Sequence, residues 1–208
     1  MKRSLMFGIL LAGLGLMTAC NSKNVVKTPQ LSVKVLETIP ATSTPDWVNS
    51  TQEFWEKGGQ YYYRGTAEGY TNLEAAKRAA SASARVSIAE QVKNVVRNEF
   101  SRAMESGAYD ETTGGYLKDV FFSAVDNLTL SGVQVRESYL QHLLETSDMS
   151  ERMYYRAYIL ASISKADYNK LVRAAFSDTK AQVSANKSAK QLAAETEARF
   201  WKQQEQAQ

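Results

Sequence analysis

Cysteine and histidine are almost absent from this chain, which contains only Cys20 and His142. One cysteine excludes a disulfide within the chain, and the two residues are too few for a metal site built from Cys and His ligands. No Ser–His or Cys–His nucleophile pair is evident, and no Gly-rich phosphate loop, GxSxG or HExxH motif occurs. A pair of carboxylates leaves no local signature and stays open as an alternative. We nevertheless expect no enzyme, no catalytic residues, no cofactor and no metal site, and we interpret His142 as an ordinary strand residue.

The chain also lacks an excess of charge of one sign. It carries 25 Lys and Arg against 22 Asp and Glu, and two of the basic residues, Lys2 and Arg3, belong to a segment that we expect to be removed. No basic cluster is interleaved with aromatic residues. We therefore expect no nucleic-acid partner.

Proline is restricted to the first part of the chain, at Pro29, Pro40 and Pro45. Residues 21–44 are otherwise rich in Ser, Thr, Asn and Lys and show no sustained periodicity. The composition predicts that residues 20–44 form a flexible tether ahead of the folded domain. An alternation of apolar residues at 31–36 leaves a short strand there as an alternative.

The first 19 residues have the pattern of a secretion signal. Lys2 and Arg3 precede an apolar run over residues 5–17, which is too short to span a bilayer as a mature helix. The run ends in Met17-Thr18-Ala19-Cys20, which resembles the lipobox of bacterial lipoproteins, with Met17 where Leu is usual. The alternatives are an ordinary cleaved signal with an incidental cysteine and an uncleaved anchor.

The lipobox resemblance implies a fate for Cys20. In lipoproteins the cysteine thiol takes a diacylglycerol, the peptide is cut just before it, and the new amine is acylated with a fatty acid such as palmitate. One acyl chain gives only marginal membrane binding, whereas several hold a protein stably. Asn21 in the next position implies sorting to the outer membrane, with the domain in the periplasm.

Residues 45–176 are predicted to form one α+β domain. An aromatic strand at 60–69 precedes an Ala-rich helix that begins at a capping box, Thr71 to Glu74, and ends between residues 100 and 106. A polar loop at 107–115, a helix at 116–130, a hairpin of strands 133–145 and 153–163, and a helix capped by Ser164 follow. The helical stripe that we expect against the sheet recurs every four residues, at Ala76, Ala80, Ala84, Ile88 and Val92. The fold class is therefore a small antiparallel sheet with the Ala-rich helix and a second helix packed on one face, and a long C-terminal helix.

Residues 177–208 are predicted to be a polar helical tail. Ala, Lys, Gln and Glu dominate, and no glycine or proline interrupts the segment. A continuous helix from Ser164 onward would run about 40 residues, or roughly 60 Å. Either the tail is solvated and frayed, or it pairs with a partner or a second copy, with Phe200 and Trp201 as the contact residues.

The order of these elements resembles a family of small bacterial envelope proteins, the outer-membrane lipoproteins of the Lpp-twenty type. The resemblance covers residues 45–165. It rests on the Pro45-Asp46-Trp47-Val48 opening, the aromatic strand that ends at residues 65–69, and the Ala-rich helix containing Ala84-Arg85. It implies an envelope protein without known catalytic residues. Some relatives are flagellar lipoproteins that brace the outer-membrane part of the motor, and others are surface antigens.

Three functions are consistent with these features. The first is a structural or assembly factor that contacts envelope or flagellar proteins, or a copy of itself, through strand edges or the tail. The second is a cell-wall or small-ligand binding module that uses tyrosine platforms at residues 61–63 and 154–155. The third is a regulator of a periplasmic wall enzyme.

Overall fold

The computed structural model describes residues 31–105, 112–113, 116, 120, 129–183 and 186–206. The secretion signal and Cys20 lie outside the described residues. Most of the predicted loop at 107–115 and of the predicted helix at 116–130 also lies outside them. Within the described part no helix is long and apolar enough to cross a bilayer.

Five antiparallel strands form one sheet in the order β1-β4-β5-β3-β2. With the helices described below, this confirms the predicted α+β class. The strands are β1 (Ser32–Ile39), β2 (Phe54–Lys57), β3 (Gln60–Tyr70), β4 (Gln134–Thr146) and β5 (Glu151–Ser164). The central strand β5 pairs with both β3 and β4 along most of its length.

Strand β1 corrects the predicted tether. Residues 32–39 pair with β4, from Ser32 opposite Thr146 to Ile39 opposite Leu140. The sheet therefore begins within the segment that composition assigned to a linker. Backbone pairing with a long neighbouring strand outweighs the turn-forming residues on either side of β1.

The β2–β3 hairpin turns at Gly58 and Gly59, where both φ angles are positive, at 58° and 72°. Such a two-residue turn matches the right-handed twist of the strands and favours glycine. Trp55 stacks on Tyr62 across this hairpin, with ring centroids 5.7 Å apart. The short helix α1 (Asp46–Asn49) precedes the hairpin, and Arg64 of β3 donates a hydrogen bond to the Val48 carbonyl at 2.9 Å.

Helix α2 (Leu73–Glu105) packs on one face of the sheet, which we call the helix face and which carries Leu140, Ala157 and Ile159. The predicted stripe is confirmed, because all five of its residues are fully buried. The cap is different from the predicted one, since the side chain of Asn72, and not of Thr71, accepts a hydrogen bond from the backbone of Ala75 at 2.9 Å. Asn, like Thr, provides a side-chain oxygen for a free amide at a helix start.

The β4–β5 hairpin and helix α3 (Lys165–Gln182) follow the prediction. The hairpin closes over residues 147–150, where the Ser147 amide donates to the Ser150 carbonyl at 2.8 Å. The hydroxyl of Ser164 caps α3 by accepting from the Asp167 amide at 3.0 Å. Tyr168, Leu171, Val172, Ala175 and Phe176 are all buried, as the apolar pattern predicts.

The C-terminal segment is not a single long extension. Helix α3 ends at Gln182, and a separate helix α4 (Lys187–Gln206) packs back against α2 and α3. Asn186 caps α4 by accepting from the Ala189 amide at 3.0 Å. Val183, Leu192 and Phe200 join the hydrophobic core, so residues 177–183 and 186–206 belong to the domain and are not a solvated tail. Burial of this stripe outweighs the low intrinsic stability of an isolated polar helix.

Candidate interaction edge and aromatic cleft

Strand β1 exposes an unusual amount of apolar surface for the edge of a sheet. Three apolar residues of β1 and the residue just before it are between 43% and 64% exposed. They are Val33, Val35 and Leu36, with Leu31 before the strand. In the part of the chain that the structure describes, no strand pairs with the outer edge of β1. Edge strands offer unpaired backbone groups, and exposed apolar edges are sites of association.

A bulge sets the side-chain directions of β1. The register with β4 shifts between Val35 and Glu37, so Leu36 is an extra residue. Lys34 lies opposite Leu144 and Glu37 lies opposite His142, and these two positions of β4 share one face because they are two residues apart. Lys34 and Glu37 therefore both point to the helix face, although their spacing of three would separate them in a regular strand.

Within the residues that the structure describes, neither of these charges is neutralised. No ion pair of Lys34 or Glu37 is found among the described residues. Charged residues and bulges on edge strands restrict indiscriminate pairing. Strand β1 therefore favours a partner strand that presents complementary charges in one register.

The predicted contact residues Phe200 and Trp201 lie within the domain. The Phe200 side chain is only 6% exposed, and its ring centroid lies 5.6 Å from that of Phe176 in α3. The guanidinium of Arg173 lies 3.7 Å from the centre of the Trp201 ring, within the range of a cation–π contact. Phe200 and Trp201 therefore pack α4 against α3. Phe200 has little exposed surface left for a partner.

The predicted tyrosine platforms do not form. Side chains alternate along a strand, so Tyr61 and Tyr63 share the helix face while Tyr62 stacks on Trp55. Tyr63 is 1% exposed and donates a hydrogen bond from its hydroxyl to the side-chain oxygen of Gln91. Tyr154 is 2% exposed and donates to Glu68 at 2.9 Å. No run of adjacent tyrosines therefore offers a flat exposed surface.

Tyr61 instead lines a cleft of about 420 Å³ at one end of the helix face. Residues from five elements surround it, and most of them fall into two chemical groups. The rings are those of Phe54, Tyr61, Tyr168 and Phe200, and the carboxamides are those of Gln91, Asn98, Asn169 and Gln204. Small-molecule sites have volumes of about 300–1,000 Å³ and combine apolar walls with a few polar groups.

The charges at this cleft are paired. The Lys165 Nζ atom forms an ion pair with Glu56 Oε1 at 2.5 Å. The Arg102 Nη1 atom forms another with Glu99 Oε1 at 2.5 Å. The hydrogen bond to Glu56 raises the pKa of Lys165 above its ordinary value, so the cation of this pair is favoured. The lining therefore combines neutral hydrogen-bonding groups with neutralised carboxylates.

One polar group at the cleft, the hydroxyl of Tyr168, is not satisfied by any residue of the described part of the chain. Tyr168 is 6% exposed, and its buried hydroxyl has no hydrogen-bond partner among the described residues. Burial raises the pKa of this hydroxyl well above its ordinary value, so it stays neutral. A buried hydroxyl without a partner is costly, and a ligand that bonded to it would remove that cost.

Sequence reasoning did not identify either site fully. The alternation at 31–36 was a signal for β1, but nothing in it revealed the bulge that aligns Lys34 with Glu37. The cleft has no local signature because five separate elements contribute its walls. No group of three His, Cys, Asp or Glu side chains suited to a metal ion occurs in the described ranges.

Comparisons with protein-family models, with curated proteins and with solved structures gave no match.

Proposed function

We propose that this chain is an outer-membrane-anchored periplasmic lipoprotein that acts as a structural or assembly factor for an envelope complex. It works through protein–protein contacts at the β1 edge and has no catalytic activity of its own. The exposed apolar surface of β1 carries this proposal, because 43–64% exposure at four neighbouring apolar residues is unfavourable unless a partner covers them. The Lpp-twenty resemblance makes the outer-membrane part of a flagellar motor one such complex.

The anchor and the edge strand are close together in the chain. Ser32 follows Cys20 by twelve positions, a stretch that reaches about 40 Å at most. Lipids on Cys20 would therefore hold β1 near one membrane surface. Confinement of this kind raises the effective concentration of neighbouring molecules, so a small interface becomes sufficient.

The partner strand that fits β1 best is β1 of a second copy. Two β1 strands related by a twofold axis between Val35 and Leu36 run antiparallel and continue the sheet. Lys34 of each copy then lies opposite Glu37 of the other copy, because the two residues are equally far from the axis. The bulge places both side chains on the helix face, so the two charges meet on the same side of the joined sheet.

The energy of this contact is modest. Each opposite-charge pair across antiparallel strands contributes about 0.2–1 kcal/mol, and the twofold axis provides two such pairs. Interfaces of small area are weak when both partners are free in solution. The proposed association therefore depends on the lipid anchor as well as on the strand.

Charge reversal in vesicles tests this proposal. The mature lipoprotein carries no other cysteine, so Val86→Cys, at a residue of α2 that is 60% exposed, provides one dye site away from the edge. Energy transfer between donor- and acceptor-labelled molecules then reports association. We expect Lys34→Glu and Glu37→Lys each to reduce the transfer, because each creates two like-charge pairs, and the double variant to restore it.

Two results would contradict the proposal. Equal transfer in all four proteins would show that β1 is not the contact. A double variant that stays as weak as the single variants would show that Lys34 and Glu37 do not face each other.

A cell-wall or small-ligand binding module is the alternative, and the aromatic cleft is the observation that favours it. A regulator of a periplasmic wall enzyme would share the anchor and the edge strand with the scaffold. The identity of the proteins crosslinked to β1 in the native envelope distinguishes that role from the scaffold.

A further inference from the structure

We propose that the cleft between the β2–β3 hairpin and helices α2, α3 and α4 binds a neutral oligosaccharide. This site is separate from the β1 edge, which lies at the opposite end of the sheet order. The inference therefore does not depend on self-association. The last turns of α4 border the cleft with Gln204 and with the small exposed part of Phe200, so α4 takes part in the proposed binding.

The lining matches the two kinds of surface that a sugar presents. Sugar hydroxyls both donate and accept hydrogen bonds, and so do carboxamides, which carry two N–H donors and a carbonyl acceptor. Four carboxamides border the cleft, and those of Asn98 and Gln204 are exposed. The C–H groups of a sugar ring pack on the electron-rich face of an aromatic ring. Phe54, which is 37% exposed, and the partly buried Tyr61 provide such faces.

The electrostatics select against a charged ligand. A carboxylate or phosphate ligand would need a free cation, but Arg102 and Lys165 already pair with Glu99 and Glu56. A cationic ligand would have to compete with those same two cations for the carboxylates. A neutral ligand leaves both ion pairs intact.

Tyr168 is the most specific feature of the cleft. Its ring packs edge-on against Tyr61, with centroids 5.0 Å apart, while its hydroxyl has no partner in the described chain. A Phe in this position would satisfy the same ring contacts without an unpaired polar atom. The hydroxyl is therefore unneeded for folding. Its oxygen has almost no accessible surface, so a bound sugar would bond to it after a small movement of the cleft lining.

Titration of the full-length protein with neutral sugars tests the proposal. The probes are tetramers of glucose and of N-acetylglucosamine. Calorimetry measures their binding affinity, and changes in amide chemical shifts locate the residues that they contact. We expect binding of at least one probe, with shifts concentrated at the cleft. Removing one hydrogen bond should weaken binding roughly 3- to 10-fold, so we expect that loss in Tyr168→Phe and in Asn98→Ala.

Two controls separate binding from folding. Tyr168→Phe should leave the melting temperature unchanged or raise it, because it removes an unpaired buried hydroxyl. Asn94→Ala changes an exposed residue one turn earlier on α2 that does not line the cleft. It should bind sugar like the original protein.

Three outcomes would overturn the proposal. The first is no binding of either probe at millimolar concentration. The second is binding that both Tyr168→Phe and Asn98→Ala leave unchanged, which would place the sugar elsewhere. The third is a response of the cleft to a neutral peptide and to neither sugar, which would assign it to a protein partner.

Discussion

Gly65 lies where α2 approaches the sheet so closely that a single methyl group cannot be accommodated. A Cβ atom at this position would lie 2.1 Å from the carbonyl oxygen of Ala80, 2.6 Å from the amide nitrogen of Ala84 and 2.8 Å from its Cβ. Ordinary contacts begin at 3.4 Å, so the helix would have to retreat by about 1.3 Å, the difference between that contact distance and 2.1 Å. Two of the three obstructing atoms are backbone, and no side-chain rotation relieves them.

The cost of Gly65→Ala follows from that geometry. Overpacking a well-packed core costs about 1–3 kcal/mol, and obstruction by backbone atoms puts this case at about 3 kcal/mol. For a domain of this size each kcal/mol lowers the melting temperature by about 2–4 °C, so we expect a decrease of roughly 6–12 °C.

Thermal unfolding followed by circular dichroism measures this effect. Thr66→Ala is the matched control, because Thr66 is the exposed neighbour of Gly65 on the same strand. That change should cost less than about 1 kcal/mol. A decrease of under about 2 °C for Gly65→Ala would show that α2 does not lie as close to β3 as the structure has it.

Two further predictions concern the C-terminal helix and the dependence of the melting temperature on pH in the acid range. Phe200→Ala should lower the free energy of unfolding by about 3–5 kcal/mol, measured by urea titration, because its ring fills a core shared with Phe176; a loss under about 1 kcal/mol would mean that α4 is not docked. The pKa of Glu68 is lowered from its ordinary value of 4.5, chiefly by the hydrogen bond from Arg156. The contribution of this carboxylate to stability is therefore present above pH 4.5 and is lost as the pH falls through the lowered pKa. The difference in melting temperature between the original protein and Glu68→Gln should be small, since Glu68 is about half exposed. It should shrink as the pH falls below 4.5, and a difference that grows there would contradict the assignment.

Periodic burial made the central part of the fold predictable. The stripe from Ala76 to Val92 repeats every four residues, and the β4–β5 hairpin shows alternation on both sides of a short polar turn. Both patterns arise because one face of each element is buried, which constrains every residue on that face. The Ser164 cap was predictable for a similar reason, since it depends on one side chain and a nearby amide.

The two ends of the domain were less predictable because their signals are weak. Much of β1 is exposed, and its alternation of apolar residues is short because Leu36 directly follows Val35. Helix α4 buries Ala189, Ala193 and Thr196 beside Leu192 and Phe200. Such small side chains do not stand out from a polar tail. The break before α4 contains no glycine or proline, and the Asn186 cap is its only strong local signal.

The cleft and the register of β1 depend on long-range contacts. Residues as distant in the chain as Phe54 and Gln204 line the same cavity. The side chains of Lys34 and Glu37 share a face because β1 has a bulge where it pairs with β4. Sequence patterns of a single element contain neither fact.

Register-specific disulfide formation in the native membrane tests the central claim most directly. Cells would co-express one chain with Lys34→Cys and another with Glu37→Cys, both with Cys20 intact. In the proposed antiparallel pair these positions lie directly opposite each other, within the Cα separation of about 4.4–6.8 Å that disulfides need. The account predicts a disulfide-linked dimer from the mixture and little from either variant alone, with Val86→Cys as the negative control. Absence of the mixed dimer, or equal yields from all combinations, would contradict association through β1.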